Sequence, residues 1–239
     1  MGMNFLEPSS FAAAPLEWSD IAVGFFLREM VRLILLKSTQ DNLLRGMNPF
    51  RFHRRTAILA LTMIALMGGV LRLGWNLYEQ KREHSQDAVI AAAAARYGVD
   101  PALIKAVIWR ESWFDPWARG RAGEIGLMQI CEDASREWAD AEHVRGFEHA
   151  QLFDPGRNTL AGTWYLRKLL RRYTNTDNPL PYALADYNAG RANALRWARD
   201  TAATNSTAFV EAIGFPGTKA YVKAILARYE HYRNSETAR

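Results

Sequence analysis

One cysteine, Cys131, stands in a chain of 239 residues, so no intramolecular disulfide forms and no thiolate cluster holds zinc. The five histidines, His53, His84, His143, His149 and His231, show no H-E-x-x-H or similar ligand spacing, and no metal site is expected from them. Gly-rich phosphate loops are missing too, and no cofactor is expected. Strand signals are scarce from Ser85 onward. Charge is also thin: the net value is +5, and it is unevenly spread. Residues 1–84 carry ten Lys/Arg against seven Asp/Glu, and residues 85–239 carry twenty against eighteen. A nucleic-acid domain needs a concentrated basic face, which this near-balance argues against. A mildly basic cleft facing an anionic polymer stays open.

What the chain does have is one long apolar run. From Thr56 to Tyr78, 23 residues carry a single charge, Arg72. Crossing a bilayer takes roughly 20 apolar residues in a helix. Arg72 lies near the far end and can snorkel, and Trp75 and Tyr78 suit the interface. Arg51, Arg54 and Arg55 flank the near end, which places the N-terminal side in the cytoplasm. A cleaved signal peptide and a buried core helix are the alternatives. The run is long for a signal peptide, and no A-x-A site closes it. The expected division is therefore 1–50 as an N-terminal cytoplasmic segment, 51–84 as an anchor with a short linker, and 85–239 as the globular domain. Within the first part, "IAVGFFLREMVRLILL" reads as an amphipathic or membrane-surface helix, or as lying outside a mature protein that starts at Met47.

Beyond Ser85 the pattern is all-α. "SQDAVIAAAAARYG" is an Ala-rich helix closed by Gly98. Asp100 caps the next helix and Pro101 takes its first position. That helix buries Leu103, Ile104, Val107 and Ile108 and ends near Ser112. A loop rich in Gly and Arg runs to Ile125, and a helix is expected from about Leu127 through "EDASREWADA". "PGRNTLAGTWYLRKLLRRY" is amphipathic, with Leu160, Trp164, Leu166, Leu169 and Leu170 inside. Two short helices surround "YALADYNAGRANALRW", and "FPGTKAYVKAILARYEHYR" closes the chain.

The apolar face of the Asp100 helix runs on to Glu111, four residues after Val107 and three after Ile108. An ionised carboxylate there must be paired or neutralised. If neutralised, it can donate a proton near neutral pH. From periodicity alone, Glu111 reads equally as a boundary residue reaching solvent or pairing with Arg110 or Arg119. "GEIGLMQI" follows, with Gly126 allowing close backbone approach and Gln129 placing an amide among apolar residues. "DYNAG" sets Tyr187 and Asn188 side by side.

In this order, "RESWFDPWA", "GLMQI", "DPGRNTLAGTWYLRKLL", "ADYNAG" and "TKAYVKAILARY" resemble the successive motifs of the soluble lytic transglycosylase domain, which is similar in fold to goose-type lysozyme. The resemblance spans about 87–232. It implies an α-rich, lysozyme-like fold with a long groove for the glycan strand of peptidoglycan. It further implies cleavage of the β-1,4 bond between N-acetylmuramic acid and N-acetylglucosamine, leaving a 1,6-anhydromuramic end without metal or cofactor. Carried over by position, Glu111 matches the catalytic glutamate and Gln129 a groove glutamine. Tyr187 and Asn188 match a pair near the catalytic centre, where the Tyr187 hydroxyl is expected to hold Glu111 or the sugar. Asp115 precedes Pro116 and reads as a turn rather than a second acid.

Several positions depart from the family pattern. Gly120 stands where a serine is common, Cys131 where methionine is usual, and Asp186 where alanine is usual. Gly217, Thr218 and Lys219 stand where the family often has "ETR", so a groove glutamate is missing. Trp113, Phe114 and Trp117 read either as core or as platforms for sugar rings. Cys131 reads as a small apolar filler, and Arg171 and Arg172, like Lys219 and Lys223, read either as a solvated face or as cations that meet the acidic peptide stems. Two rivals to the transglycosylase reading share the groove: a hydrolytic lysozyme, and a weakly catalytic peptidoglycan-binding module of an envelope or secretion assembly. The expected partners are peptidoglycan glycan strands and, through the anchor, the membrane. No nucleic acid is expected, and no protein partner can be named.

Overall fold

The computed structural model describes Arg28, Glu29, Arg32 and residues 50–237. The expectations for residues 1–46 therefore fall almost wholly outside the described residues, as do the side chains of Arg51, Arg54 and Arg55. The chain divides into two compact units with a boundary between Lys81 and Arg82.

The first described element is α1 (Phe50–Glu83). Large apolar side chains line it and face outward, among them Met63, Leu66, Val70 and Leu71, the last three 62–70 % exposed. Its apolar window has mean hydropathy 1.9 and none of it is buried. It is long and apolar enough to cross a membrane, the one such helix among the described residues. Trp75 and Tyr78 lie side by side at its far end, ring centroids 6.0 Å apart.

The second unit is helical throughout. Its elements are α2 (Asp87–Tyr97), α3 (Pro101–Ser112), α4 (Glu132–Ala141), α5 (Pro155–Arg172), α6 (Pro179–Ala189), α7 (Arg191–Trp197), α8 (Ser206–Ala212) and α9 (Pro216–Thr237). Two 3-10 turns, His149–Phe153 and Asp200–Ala203, complete it. In place of strands, the described residues hold isolated bridges between Arg119 and Ile125 and between Ile125 and Ile130. Helices α2, α3, α9, α6 and α5 each pack on the next, and α5 returns to α2, closing a ring.

Helix α3 is the core of this ring. Asp100 caps it as expected, its carboxylate accepting from the Ala102 N–H at 2.9 Å. The Tyr229 hydroxyl donates to the other oxygen of that carboxylate at 2.7 Å, tying α9 to the start of α3. The sequence marks one apolar face, but every residue from Ala102 to Trp109 is buried. A helix buried all round needs apolar character all round, and Lys105 is the exception. It is sheltered because its ammonium donates to Asp87 at 2.6 Å. Each fully buried Leu or Ile here contributes about 1.5–3 kcal/mol.

Two expected features of the helices differ. The helix placed near Leu127 begins at Glu132. Gly126 and Gln129 adopt positive φ, 77° and 47°, which no helix accommodates. In α5 the inward stripe is Asn158, Thr159, Ala161, Gly162 and Thr163, followed by Leu166 and Leu169, while Leu160, Trp164 and Leu170 are only half-buried. Small and polar residues face inward there because α5 packs against a loop backbone that needs close approach and hydrogen bonds.

Candidate active site

Glu111 occupies the last turn of α3, where the buried helix emerges. The chain then turns sharply. Trp113 and Phe114 both take left-handed φ, 50° and 63°, and the Trp113 N–H closes the helix on the Trp109 carbonyl at 3.1 Å. Ser112 fastens this end to the next loop, its hydroxyl donating to the Leu127 carbonyl at 2.7 Å.

That loop, residues 125–130, forms the wall beside Glu111, and Asn158 of α5 braces it. Asn158 Nδ2 donates to the carbonyls of Ile125 and Leu152, both at 2.9 Å, and its Oδ1 accepts from the Met128 N–H at 2.8 Å. Gly126 faces this amide so closely that a Cβ would overlap Asn158 and sit 2.6 Å from the Leu152 carbonyl oxygen. Gly162 lets α5 approach likewise, since a Cβ there would collide with the Met128 side chain. The "GLMQI" and "RNTLAG" motifs are thus two halves of one joint.

The Glu111 carboxyl is held by Tyr221 of α9, whose hydroxyl donates to Oε1 at 2.5 Å. Burial pushes the Glu111 pKa from 4.5 up to about 7, against the Tyr221 hydrogen bond and the Arg110 charge, with the Glu124 charge adding to the rise. Close to neutrality the group then exists in both acid and base forms. Burial, aided by the Glu111 charge, holds the Tyr187 and Tyr221 hydroxyls protonated, far above the usual tyrosine range.

The other expected site residues lie around this centre. The Tyr187 hydroxyl donates to the Met128 carbonyl at 2.7 Å and so secures the loop; the residue that grips Glu111 is Tyr221. Asn188 Oδ1 accepts from the buried Thr218 hydroxyl at 2.8 Å. The threonine that this run shares with the family's "ETR" thus supplies the hydroxyl that fixes Asn188. Gln129 turns its Nε2 back to the carbonyls of Gly126 (2.9 Å) and Ala118 (3.1 Å), while its buried Oε1 has no hydrogen-bond partner. Neither Gln129 nor Asn188 bonds Glu111 directly in the described contacts.

Asp186, Cys131 and Asp115 can be compared with their sequence readings. Asp186 is 2 % exposed and accepts from Arg172 at 2.5 Å and from the Tyr173 hydroxyl at 2.8 Å, so Arg172 is no solvated face. Cys131 is exposed just before α4 and is not an apolar filler. Asp115 accepts from the Trp117 N–H at 2.9 Å, which makes it the turn residue expected. Of the three aromatics, Phe114 is buried and Trp113 lies under the Arg82 guanidinium at 4.2 Å. Trp117 is 70 % exposed and stacks on Phe153 at 5.6 Å.

Residues 88–210, more than half of the chain, match the transglycosylase SLT domain. The chain belongs to this family. Among curated relatives of this SLT chain is a protein named membrane-bound lytic murein transglycosylase C from Klebsiella pneumoniae, 37% identical over 122 residues. The match takes in 48% of this chain and 34% of that protein. The Yersinia pestis protein of the same name is 34% identical over 124 residues, with the same coverage. The match thus spans about a third of the length of these relatives. Among solved structures, an inactive mutant of the lytic transglycosylase Slt from Pseudomonas aeruginosa aligns with TM-score 0.58 at 26% identity, covering 63% of this chain and 24% of that one. The 70 kDa soluble lytic transglycosylase of Escherichia coli aligns with TM-score 0.60 at 22% identity over 96% of this chain and 38% of that one, a likeness of fold.

Sequence reading passed over four residues that shape this site: Ser112, Glu124, Asn158 and Tyr221. All lie inside quoted motifs. Asn158 carried a signal, since a polar residue four before Gly162 and eight before Leu166 shares their inward stripe. Tyr221 carried none, because its partner is 110 residues away.

Proposed function

We propose that this SLT protein is a membrane-anchored lytic transglycosylase that cleaves the MurNAc–GlcNAc β-1,4 bond of peptidoglycan, with Glu111 as general acid and then general base. One observation carries this reading: a carboxyl buried to a pKa of about 7 and oriented by the Tyr221 hydroxyl at 2.5 Å. The names of the curated relatives add the substrate class, murein.

In the first step the protonated Glu111 gives its proton to the glycosidic oxygen as the bond from the muramic C1 breaks. Developing positive charge at C1 is met by the substrate's own acetamido group, a known alternative to a second enzymatic nucleophile. The muramic 6-hydroxyl then attacks C1 and passes its proton to the Glu111 carboxylate, closing the 1,6-anhydro ring. The proton count balances and no water is consumed. Tyr187 secures the loop wall through Met128, and the binding of acetamido groups or hydroxyls is assigned in this reading to Asn188 and Gln129. Helix α1 spans the cytoplasmic membrane once, and residues 85–239 act on its outer side.

The test is digestion of purified peptidoglycan by the full chain in detergent, wild type and Glu111→Gln, read by mass spectrometry. Anhydromuramic products that require Glu111 support the reading. Reducing ends would mark a lysozyme instead, and bound protein with no product a binding module.

A further inference from the structure

Lys105 and Trp109 of α3, and Trp113 at its cap, follow one another at four-residue intervals along one side of the helix. Glu111 lies two residues from each tryptophan, about 200° further round, on the opposite side. Each of the three makes a charged contact that leads to residues 82–87. The Lys105 ammonium donates to Asp87 at 2.6 Å and lies 3.4 Å from His84 Nδ1. The Arg228 guanidinium lies 4.3 Å from the Trp109 ring and pairs with Glu83 at 3.4 Å, both side chains largely out of water. The Tyr232 hydroxyl donates to the same Glu83 carboxylate at 3.1 Å. The Arg82 guanidinium lies 4.2 Å from the Trp113 ring. Arg82 and Glu83 close α1, yet both fall with the helical domain and not with the apolar stretch before them.

Trp113 is the point where such a contact bears on the chemistry. Its φ of 50° is left-handed, and a bulky side chain stays there only when its surroundings hold it. Its N–H closes the helix on the Trp109 carbonyl at 3.1 Å. Arg110, Glu111 and Ser112 lie between these two tryptophans, so the turn at Trp113 sets the frame from which the Glu111 carboxyl reaches Tyr221.

We propose that Arg82 is a positioning residue of the active site: seated on the Trp113 ring, it clamps the last turn of α3 and so holds the Glu111 carboxyl against Tyr221. The proposal rests on the lytic reading of Glu111 for its catalytic meaning, but not for the clamp itself. The expected domain start at residue 85 leaves Arg82 and Glu83 outside the domain they serve. Asp87 and Glu83 brace the earlier turns of the same side through Lys105 and Arg228, and Arg82 completes the row at the turn nearest Glu111.

A clamp and a general support of the fold give different results. A support raises or lowers the folded fraction, and rate and binding change together. A clamp acts on the placement of Glu111, so it lowers kcat and leaves strand binding alone. It also needs a cation over a ring, which Arg82→Lys keeps and Arg82→Ala removes.

The experiment uses the full chain in detergent, labelled with carboxyl-13C glutamate, with the Glu111 signal assigned by its loss in Glu111→Gln. That signal, the rate of muropeptide release at saturating peptidoglycan and the half-saturating amount are measured for wild type, Arg82→Ala, Arg82→Lys, Trp113→Leu and the double variant Arg82→Ala/Trp113→Leu. Arg82→Ala should move the Glu111 signal and lower kcat by about two- to thirtyfold, the span of a lost cation–π contact expressed as a rate, with the half-saturating amount nearly constant. Arg82→Lys should recover most of both. Because Arg82 acts through the ring, Arg82→Ala should add little once Trp113 is leucine. If Trp113→Leu does not fold, the Arg82→Ala and Arg82→Lys pair decides alone. An unmoved Glu111 signal in Arg82→Ala, a loss that Arg82→Lys does not relieve, or losses that multiply in the double variant overturns the proposal. A wild type that releases nothing overturns the lytic reading, while the Glu111 signal in the same variants still decides the clamp.

Discussion

The Tyr221 hydroxyl and Glu111 Oε1 meet at 2.5 Å, joining α9 to the end of α3 across 110 residues of sequence. This bond favours the carboxylate, and burial works against it. Tyr221→Phe therefore raises the Glu111 pKa further and frees the carboxyl to rotate. The expected result is a rate lowered by about 10- to 100-fold, with the alkaline limb moved to higher pH. A pH profile of muropeptide release with Tyr221→Phe checks the direction, and a limb that falls or stays put contradicts the assignment.

Keeping Glu111 ready as an acid costs stability. Its pKa is about 7 in the folded protein against 4.5 for the free side chain, so the native state binds more protons between those values. Stability thus falls as pH rises through that window, by about 3 kcal/mol once complete. Glu111→Gln keeps an acceptor for Tyr221 and lacks the ionisation. The variant should be more stable than wild type at about pH 8, and the gap should shrink toward pH 4. Denaturant unfolding at the two pH values measures this, and a gap independent of pH would contradict it.

The same contrast shows which parts of the protein its sequence discloses. The cap at Asp100, the Pro101 start and the helix through Glu111 are local, written within a few residues, and the structure has them as read. The helical class follows from the same periodicities, and the family from the order of the motifs. What escaped is set by contacts between distant segments. Helix α5 reads as amphipathic through its leucines, but its inward stripe begins with small and polar residues because Asn158 serves the 125–130 loop. The loop reads as helix because its composition is apolar, yet two long-range hydrogen bonds with Asn158, one donated to the Ile125 carbonyl and one accepted from the Met128 N–H, and two positive φ values hold it open. Arg172 reads as surface until Asp186, 14 residues away, is seen to bury the pair. Gly120 reads as a lost hydroxyl, whereas its space is filled by a carboxylate from four residues on.

Asp186 makes the second stability test. It is nearly inaccessible, and both Arg172 and the Tyr173 hydroxyl depend on it. Its removal in Asp186→Ala leaves a half-buried guanidinium and a buried hydroxyl without their acceptor. Breaking such a pair from one side costs about 3–5 kcal/mol. The loss falls on the α5–α6 contact, just beside Tyr187. Urea unfolding of Asp186→Ala should show a loss of that size, while Asp186→Asn, which keeps an acceptor for Tyr173, should lose less.

Trp117 is the test of the groove. Its ring is 70 % exposed beside the Ala118 carbonyl that Gln129 grips, and Phe153 backs it with the Arg119 guanidinium 4.4 Å from the Phe153 ring. A ring kept open to solvent on a rigid support has no core to fill, so its removal leaves folding nearly unchanged. If it stacks on a sugar of the bound strand, Trp117→Ala weakens binding by about 0.5–1.5 kcal/mol, roughly two- to tenfold in affinity. The loss should appear in pull-down of the Glu111→Gln form on peptidoglycan, where no turnover confuses the reading. Equal binding with and without the tryptophan would remove it from the groove and leave its exposure as surface chemistry alone.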